Sequence, residues 1–305
     1  MTELVLGLPR LIVDARARLG ECPLWDVQRR CLYWIDIGGR ALHCLDPDTG
    51  IGQRWATASD PGCIALAANG DLIVAMRDGF YRFDVLQARF TLIAPAPYDS
   101  SAMRFNDGRC DAAGRFWAGA IFEPRTAPLA AMYCLERGRL RLAWGPESGH
   151  GVKVSNGLAF SGDYRYLYQS DTPEHVIYRF DFDLVNGQVG ERRVFARCSD
   201  DSAAPGYGGR PDGAAVDEQD CYWSAQYQGG RVVRYSPQGD VIATIVLPVS
   251  RPTMVAFGGD DLRTLYVTSA REGADAAELH REPLAGGLFA VPLSVAGRAE
   301  PRYLD

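Results

Sequence analysis

The sequence predicts an all-β fold, a six-bladed β-propeller whose blades are four-stranded antiparallel sheets. A unit made of a polar stretch, a turn and a short aromatic strand occurs six times, with starts 41 to 56 residues apart. Each unit contains about four short strand-like segments, and hardly any stretch shows a long helical pattern. A repeat of this length and content is typical of propeller blades. A two-sheet sandwich is the alternative, but it would not explain six similar units.

Length and composition agree with one large β domain. The chain has 305 residues, of which 47% are hydrophobic and 23% charged, so we expect a single domain over residues 1–305 with a packed core. The net charge is −6 and no run of Lys or Arg occurs, which argues against a nucleic-acid partner. No segment is apolar enough to span a membrane, and the first 21 residues lack the pattern of a leader. We therefore expect a cytoplasmic protein, with its oligomeric state left open.

The strands of the first unit are the clearest in the chain. Cys31–Asp36 is rich in aromatic and β-branched residues, and Ala41–Leu45 and 53–56 follow it after turns at 38–39 and 46–50. The other five units begin at Gly62, Asn106, Asn156, Asp212 and Thr253. Their later strands are predicted at 131–135, 175–181, 221–225, 231–235, 264–268 and 287–291.

The two ends of the chain are expected to complete the ring of blades. Residues 11–13 precede the first unit, and residues 302–304 follow the last one. Both segments are apolar enough to serve as outer strands. Closure of the ring would remove exposed sheet edges, which otherwise invite association.

Cysteine and histidine show no metal-site spacing. The eight cysteines are scattered without a CxxC pair, and we interpret them as reduced thiols that pack as small hydrophobic groups. The four histidines lie outside the unit starts and are interpreted as structural or surface residues. His150, just before the fourth unit, is the one that could reach the mouth of the central channel.

The starts of the units differ in chemistry. We interpret them as loops that gather at one end of the channel. Units two and six offer little to bind a ligand, whereas the others carry Glu21, Asn106 with Asp107, Asn156 and Asp212. Carboxylate and amide oxygens around one axis form a ligand set for a hard or borderline divalent cation. Ordinary turn chemistry is the alternative for each residue alone, but their position before the first strand of a unit favours ligands.

Six motifs, found in order over about residues 18–292, carry a resemblance to a known family. They are LGECPLW at 19–25, RFNDG at 104–108, SNGL at 155–158, PDG at 211–213, FGG at 257–259 and GGLF at 286–289. Together they resemble the regucalcin/gluconolactonase (senescence marker protein) family of six-bladed propellers. The resemblance implies that Glu21, Asn156 and Asp212 bind one divalent metal ion and that Asp212 doubles as a general base.

The same resemblance implies a substrate-binding group on the third unit. Arg104 and Asn106 would contact the hydroxyls and ring of the substrate. Glu123 is the nearest candidate for the acidic substrate contact that family members often place after the third-blade aromatic strand. Residues 119–121 read Gly-Ala-Ile where the family has Gly-Thr-Met, which changes the expected wall of the pocket.

The leading hypothesis is divalent-metal-dependent hydrolysis of a sugar-derived lactone, such as glucono-, xylono-, arabinono- or galactonolactone, to its aldonic acid. Ligands without Cys or His favour Ca²⁺, Mg²⁺ or Mn²⁺, although low coordination lets Zn²⁺ compete. A phosphotriesterase or a non-sugar lactonase on the same scaffold is one alternative. A non-catalytic propeller that binds calcium or a partner protein is the other, since fold alone does not decide function.

Overall fold

The computed structural model describes residues 4–305, so residues 1–3 of the predicted domain lie outside the described residues. Within that range, 24 strands form six four-stranded antiparallel sheets. The first strand of each sheet contacts the first strands of the two neighbouring sheets, and the last sheet contacts the first. The sheets therefore form a closed ring, and the predicted six-bladed propeller is confirmed.

Blades one to three each consist of four strands that are consecutive in the chain. Blade one contains β2 (Gly20–Asp26), β3 (Cys31–Asp36), β4 (Ala41–Leu45) and β5 (Gly52–Ala56). Blade two contains β6 (Pro61–Leu66), β7 (Leu72–Met76), β8 (Gly79–Asp84) and β9 (Arg89–Pro95). Blade three contains β10 (Met103–Cys110), β11 (Phe116–Phe122), β12 (Met132–Glu136) and β13 (Arg139–Trp144).

Blades four and five repeat this order, and blade six takes its outer strand from the start of the chain. Blade four contains β14 (Ser155–Phe160), β15 (Tyr166–Asp171), β16 (Val176–Asp183) and β17 (Gln188–Arg197). Blade five contains β18 (Arg210–Val216), β19 (Tyr222–Tyr227), β20 (Arg231–Tyr235) and β21 (Val241–Val246). Blade six contains β22 (Pro252–Gly258), β23 (Thr264–Ser269), β24 (Leu288–Pro292) and β1 (Arg10–Val13).

The burial of the strands decreases from the channel outwards. All seven residues of β2 and all six of β14 are buried, because each innermost strand is covered by its neighbours. The outermost strand β21 exposes most of its side chains. Trp25, Trp117 and Trp223 are each less than 5% exposed, and each packs against an aromatic ring of the neighbouring blade.

Ring closure follows the prediction at one end of the chain and departs from it at the other. β1 pairs with β24, with Leu11 opposite Phe289. Residues 302–304 do not form an outer strand, so that prediction is wrong. Instead Tyr303 forms a parallel bridge to Ala67, just after the innermost strand of blade two, and its hydroxyl accepts a hydrogen bond from the Gly138 amide at 2.6 Å. Its apolar ring is fully buried there.

Three further observations complete the description of the fold. The sequence analysis did not predict helix α1 (Ala276–Arg281), which lies in the connection between β23 and β24 and is capped by the Asp275 carboxylate. All eight cysteines are free, as expected. In the part of the chain that the structure describes, no helix is long and apolar enough to cross a membrane.

Candidate active site

The polar residues singled out at the unit starts lie inside the innermost strands of four blades. Glu21, Asn106, Asn156 and Asp212 each fall where the pairing with the second strand of the blade shifts in register. Such bulges redirect side chains and are common beside active sites. The interpretation of these starts as loops is therefore wrong, since β10 runs through Met103–Cys110.

Five of the six predicted site residues line one cavity of about 180 Å³ at the end of the channel. They are Glu21, Arg104, Asn106, Asn156 and Asp212. Because they come from blades one, three, four and five, only the closed ring brings them together. Ile121 and Val154 add apolar wall to the same cavity.

A chain of hydrogen bonds fixes the amide groups of the cavity. Arg104 Nη1 donates to Asn106 Oδ1 at 2.7 Å, and Asn106 Nδ2 donates to Asn156 Oδ1 at 2.6 Å. Asn156 Nδ2 then donates to Thr172 Oγ1 at 2.8 Å, and the Thr172 hydroxyl donates to the Pro211 carbonyl at 2.7 Å. The chain links three blades and orients Asn156 with its oxygen towards Asn106.

Thr172 is a site residue that the sequence analysis missed. It lies in a short 3₁₀ helix, Thr172–Glu174, directly after β15. Its side chain is buried and lines the cavity. The sequence contains no repeated pattern at this position, so nothing in the spacing of the units could have indicated it.

The cavity is electrostatically unfavourable for its own carboxylates. Burial, and then the charges of Asp212 and Asp107, raise the pKa of Glu21 well above its usual value. Burial, and then the charge of Asp107, raise the pKa of Asp212 well above its usual value, and Arg210 and Arg125 oppose that rise. Burial also raises the pKa of Asp107 to about 6. Three buried carboxyl groups thus lack sufficient positive charge at neutral pH.

These residues fit a divalent cation. A bound cation would supply the positive charge that the three buried carboxyl groups lack. One buried carboxylate oxygen, Asp107 Oδ1, also has no hydrogen-bond partner. Over residues 4–305, no group of three His, Cys, Asp or Glu side chains is arranged to hold a metal ion. The cluster here combines the carboxylates of Glu21 and Asp212 with the amide of Asn156, a donor set of oxygen atoms that hard cations accept.

Glu123 lies apart from the other predicted residues. Its carboxylate receives two hydrogen bonds of 2.8 Å from Arg77, and its closest approach to Arg104 is 3.8 Å. It lines a wider basin of about 630 Å³, which adjoins the cavity and shares Arg104 and Arg125 with it. The structure therefore places Glu123 at the entrance rather than among the residues of the inner cavity.

His150 does not contribute to the cavity. Its ring packs edge-on against Phe180, with ring centres 5.5 Å apart. Two arginines that the sequence analysis missed, Arg125 and Arg210, do line the cavity, together with Tyr227. Arg210 lies two residues before Asp212 in the same strand. This closeness is visible in the sequence, but no motif marks Arg210 as a site residue.

A family model described as the SMP-30/Gluconolactonase/LRE-like region matches residues 19–271. The chain belongs to this family. It is similar to a 6-deoxy-6-sulfogluconolactonase of Pseudomonas putida, with 46% identity over 295 residues, covering 96% of this chain and 98% of that protein. The regucalcin of Gallus gallus is 33% identical over 285 residues, covering 90% and 91% of the two chains.

The fold of the family agrees with the structure described above. A crystal structure of regucalcin from Agrobacterium tumefaciens, described as a calcium-binding protein, superposes with a TM-score of 0.90. The two chains are 28% identical, and the superposition covers 97% of each. The recognition made from the six sequence motifs is thus confirmed at the level of the family.

Proposed function

We propose that this chain hydrolyses a sugar-derived lactone to its aldonic acid with the help of one divalent metal ion. The observation that carries the proposal is the convergence of Glu21, Asn156 and Asp212 with Arg104 and Asn106 on one cavity. The names of the relatives support it, since one acts on a gluconolactone and another is described as calcium-binding.

Glu21, Asn156 and Asp212 would hold the metal ion. When bound, a divalent cation supplies Lewis acidity that polarises a carbonyl oxygen and lowers the pKa of water. The side chains are already held in place for this role: Asn156 by Thr172, and Glu21 by the Cys22 amide, which donates to Oε2 at 3.3 Å. Calcium, magnesium, manganese and zinc are the candidates to be compared.

Asp212 serves as the general base in this proposal. Its carboxylate takes a proton from a water molecule whose oxygen forms a bond to the lactone carbonyl carbon. The bond between that carbon and the ring oxygen then breaks, and the ring oxygen takes up the proton to become a hydroxyl. Asp212 is only 6% exposed, so bulk water has little access to its carboxylate.

The remaining residues position the sugar. The Arg104 guanidinium provides donors towards the hydroxyls and the ring. Asn106 uses both protons of its Nδ2 within the protein, on the Ser155 carbonyl and on Asn156 Oδ1, so its contribution to the substrate is the acceptor Oδ1. Glu123 meets the substrate in the basin outside the cavity. No serine nucleophile is required, because Ser155 Oγ is fully buried and accepts a hydrogen bond from Gln169 at 2.7 Å.

The test combines mutation with chelation. Asp212→Ala should abolish the chelator-sensitive hydrolysis of glucono-, xylono-, arabinono- and galactonolactone, measured by pH-stat after subtraction of spontaneous opening. Asp240→Ala is the matched control, because Asp240 is exposed in the hairpin between β20 and β21 of the same blade. Adding back each metal in turn identifies the one that restores activity.

Three results would redirect the proposal. Full activity in Asp212→Ala would refute the role of that residue. Hydrolysis of a paraoxon-type ester but of none of the lactones would indicate a phosphotriesterase. If chelation lowers the unfolding temperature and no hydrolysis is found with any metal, the protein is a non-catalytic calcium-binding propeller.

A further inference from the structure

We infer that the natural lactone carries an anionic substituent, a sulfonate, phosphate or carboxylate group, and that Arg125 and Arg210 bind it. This inference rests on the proposed lactonase function and extends it to the class of substrate. The two guanidiniums line the cavity that holds Glu21, Asn156 and Asp212. A ligand in that cavity would therefore meet both arginines.

Arg210 forms no close ion pair, although its charge acts on the pKa of Asp212. It is half-buried at the start of β18, and in the described part of the chain no carboxylate lies within ion-pair distance of it. One terminal nitrogen donates to the neutral side-chain oxygen of Gln228 at 2.6 Å, and the guanidinium lies 5.3 Å from the centre of the Tyr227 ring. Its Nε is buried with no hydrogen-bond partner.

Arg125 is likewise free of carboxylates among residues 4–305 and lies between the cavity and the basin. Its backbone is in the left-handed region, with φ of 56°, and its amide donates to the Phe122 carbonyl at 2.8 Å. This turn fixes where the side chain leaves the backbone. In contrast, the other arginines that line the basin are paired with acids: Arg18 with Glu272, Arg40 with Asp60 and Arg104 with Glu123.

The charge of the cavity favours an anion once a metal ion is bound. Its lining contains equal numbers of carboxylates and guanidiniums: Glu21, Asp212, Glu272, Arg104, Arg125 and Arg210. With all six ionised, a divalent cation leaves two positive charges in surplus in the lining, or one when the buried Asp107 carboxylate, whose charge acts on Glu21 and Asp212, is counted as well. A neutral sugar lactone cannot compensate that surplus, whereas an anionic substituent can.

Guanidinium groups suit this ligand chemistry. Arginine presents a planar fork of N–H donors that matches the oxygens of carboxylate, phosphate and, by the same geometry, sulfonate. A site that holds donors for a charged group discriminates against an analogue without it, because those donors then remain unpaired. The two arginines would thus select among lactones by charge.

The experiment compares neutral and anionic ligands in three variants. Arg125→Met and Arg210→Met remove the guanidinium and its charge but keep an unbranched apolar stem, and Arg139→Met is the control, since Arg139 is exposed on the outermost strand of blade three. Hydrolysis of glucono-1,5-lactone is compared with that of its 6-sulfo, 6-phospho and 6-carboxylate analogues. Calorimetry measures binding of the corresponding open-chain acids to the metal-loaded proteins.

We expect the wild-type protein to prefer at least one anionic lactone. Each cavity variant should lower kcat/KM for that lactone by about 10- to 100-fold and the affinity for its open-chain acid by a similar factor. The loss for the neutral lactone should be below about threefold, and Arg210→Lys should recover part of the preference. The analogue with the largest loss identifies the anionic group.

Two results would overturn the inference. One is equal hydrolysis and binding of neutral and anionic ligands by the wild-type protein, and the other is an equal loss for both kinds of ligand in the variants. Absence of any lactone hydrolysis would refute the proposed function but leave the calorimetric comparison intact. A charge preference in binding that disappears in Arg125→Met and Arg210→Met would then still support the anion site.

Discussion

Replacement of Thr172 by valine tests whether the hydrogen-bonded chain determines metal affinity. Valine has nearly the same shape, so the change opens no cavity, but it removes the hydroxyl between Asn156 and Pro211. Two buried groups, the Asn156 amide N–H and the Pro211 carbonyl, then lose their partner. At about 1–3 kcal/mol for each unsatisfied group, the free energy of unfolding should fall by about 2–6 kcal/mol.

The effect on metal binding follows from the orientation of Asn156. With Thr172 as acceptor, the amide nitrogen points towards Thr172, and the amide oxygen accepts from Asn106 with one lone pair and keeps the other for a cation. Loss of such a supporting hydrogen bond typically reduces metal affinity by about 10- to 100-fold. Calorimetric titration of the chelated protein with each metal measures the change, and thermal unfolding measures stability.

Thr172→Ser is the matched control, because serine keeps the hydroxyl and loses one methyl group. It should bind the metal within about threefold of the wild-type affinity, because the serine hydroxyl still accepts the hydrogen bond that supports Asn156. If Thr172→Val binds the metal as tightly as Thr172→Ser does, the hydroxyl does not position Asn156 and the reasoning is refuted.

Three further predictions use other parts of the site. In chelator, the unfolding temperature should fall as the pH rises from about 4 to about 6, because burial raises the folded-state pKa of Asp107 to about 6 and its ionisation therefore costs stability. This contribution is about 3 kcal/mol, and a slope unchanged in Asp107→Asn would contradict it. Gly157→Ala should destabilise by more than about 2 kcal/mol, since φ is 59° and the new Cβ would lie 2.3 Å from a buried tyrosine hydroxyl. Gly138→Ala, with φ of 73° and open space around it, should lower the free energy of unfolding by about 1 kcal/mol, and denaturant titration measures both variants. Glu123→Gln should raise KM less than Asn106→Ala does, because Glu123 lies at the entrance and is already held by an arginine; steady-state kinetics with the reverse order would place it in the inner site.

The strands could be predicted from the sequence because their local signals agree with the fold. Cys31–Asp36 and Arg231–Tyr235 are strands with the predicted bounds, and the predicted turns at 38–39 and 46–50 separate the strands of blade one. The innermost strands are harder to predict from the sequence. Asn106 and its neighbours are polar, so they resemble a loop in the sequence, although they are buried around the channel end in β10.

The site could be predicted in part, and the limit has a physical reason. Glu21, Asn156 and Asp212 occupy equivalent positions of repeated units, so the repeat itself indicated that they converge. Thr172 and Arg125 come from connections that follow the second strands of their blades. Such connections differ in length and sequence from blade to blade, and only the folded backbone shows where their side chains point.

The pairing of β1 with β24 also bears on synthesis of the chain. Val13 lies opposite Leu288, so the two paired residues are 275 positions apart. At a synthesis rate of about 5–20 residues per second, β1 waits roughly 15–55 s for its partner strand. Its apolar segment Leu-Ile-Val lacks its native partner strand during that interval, and unpaired strand edges invite association. The last blade is thereby also the slowest to assemble, since its contacts span almost the whole chain.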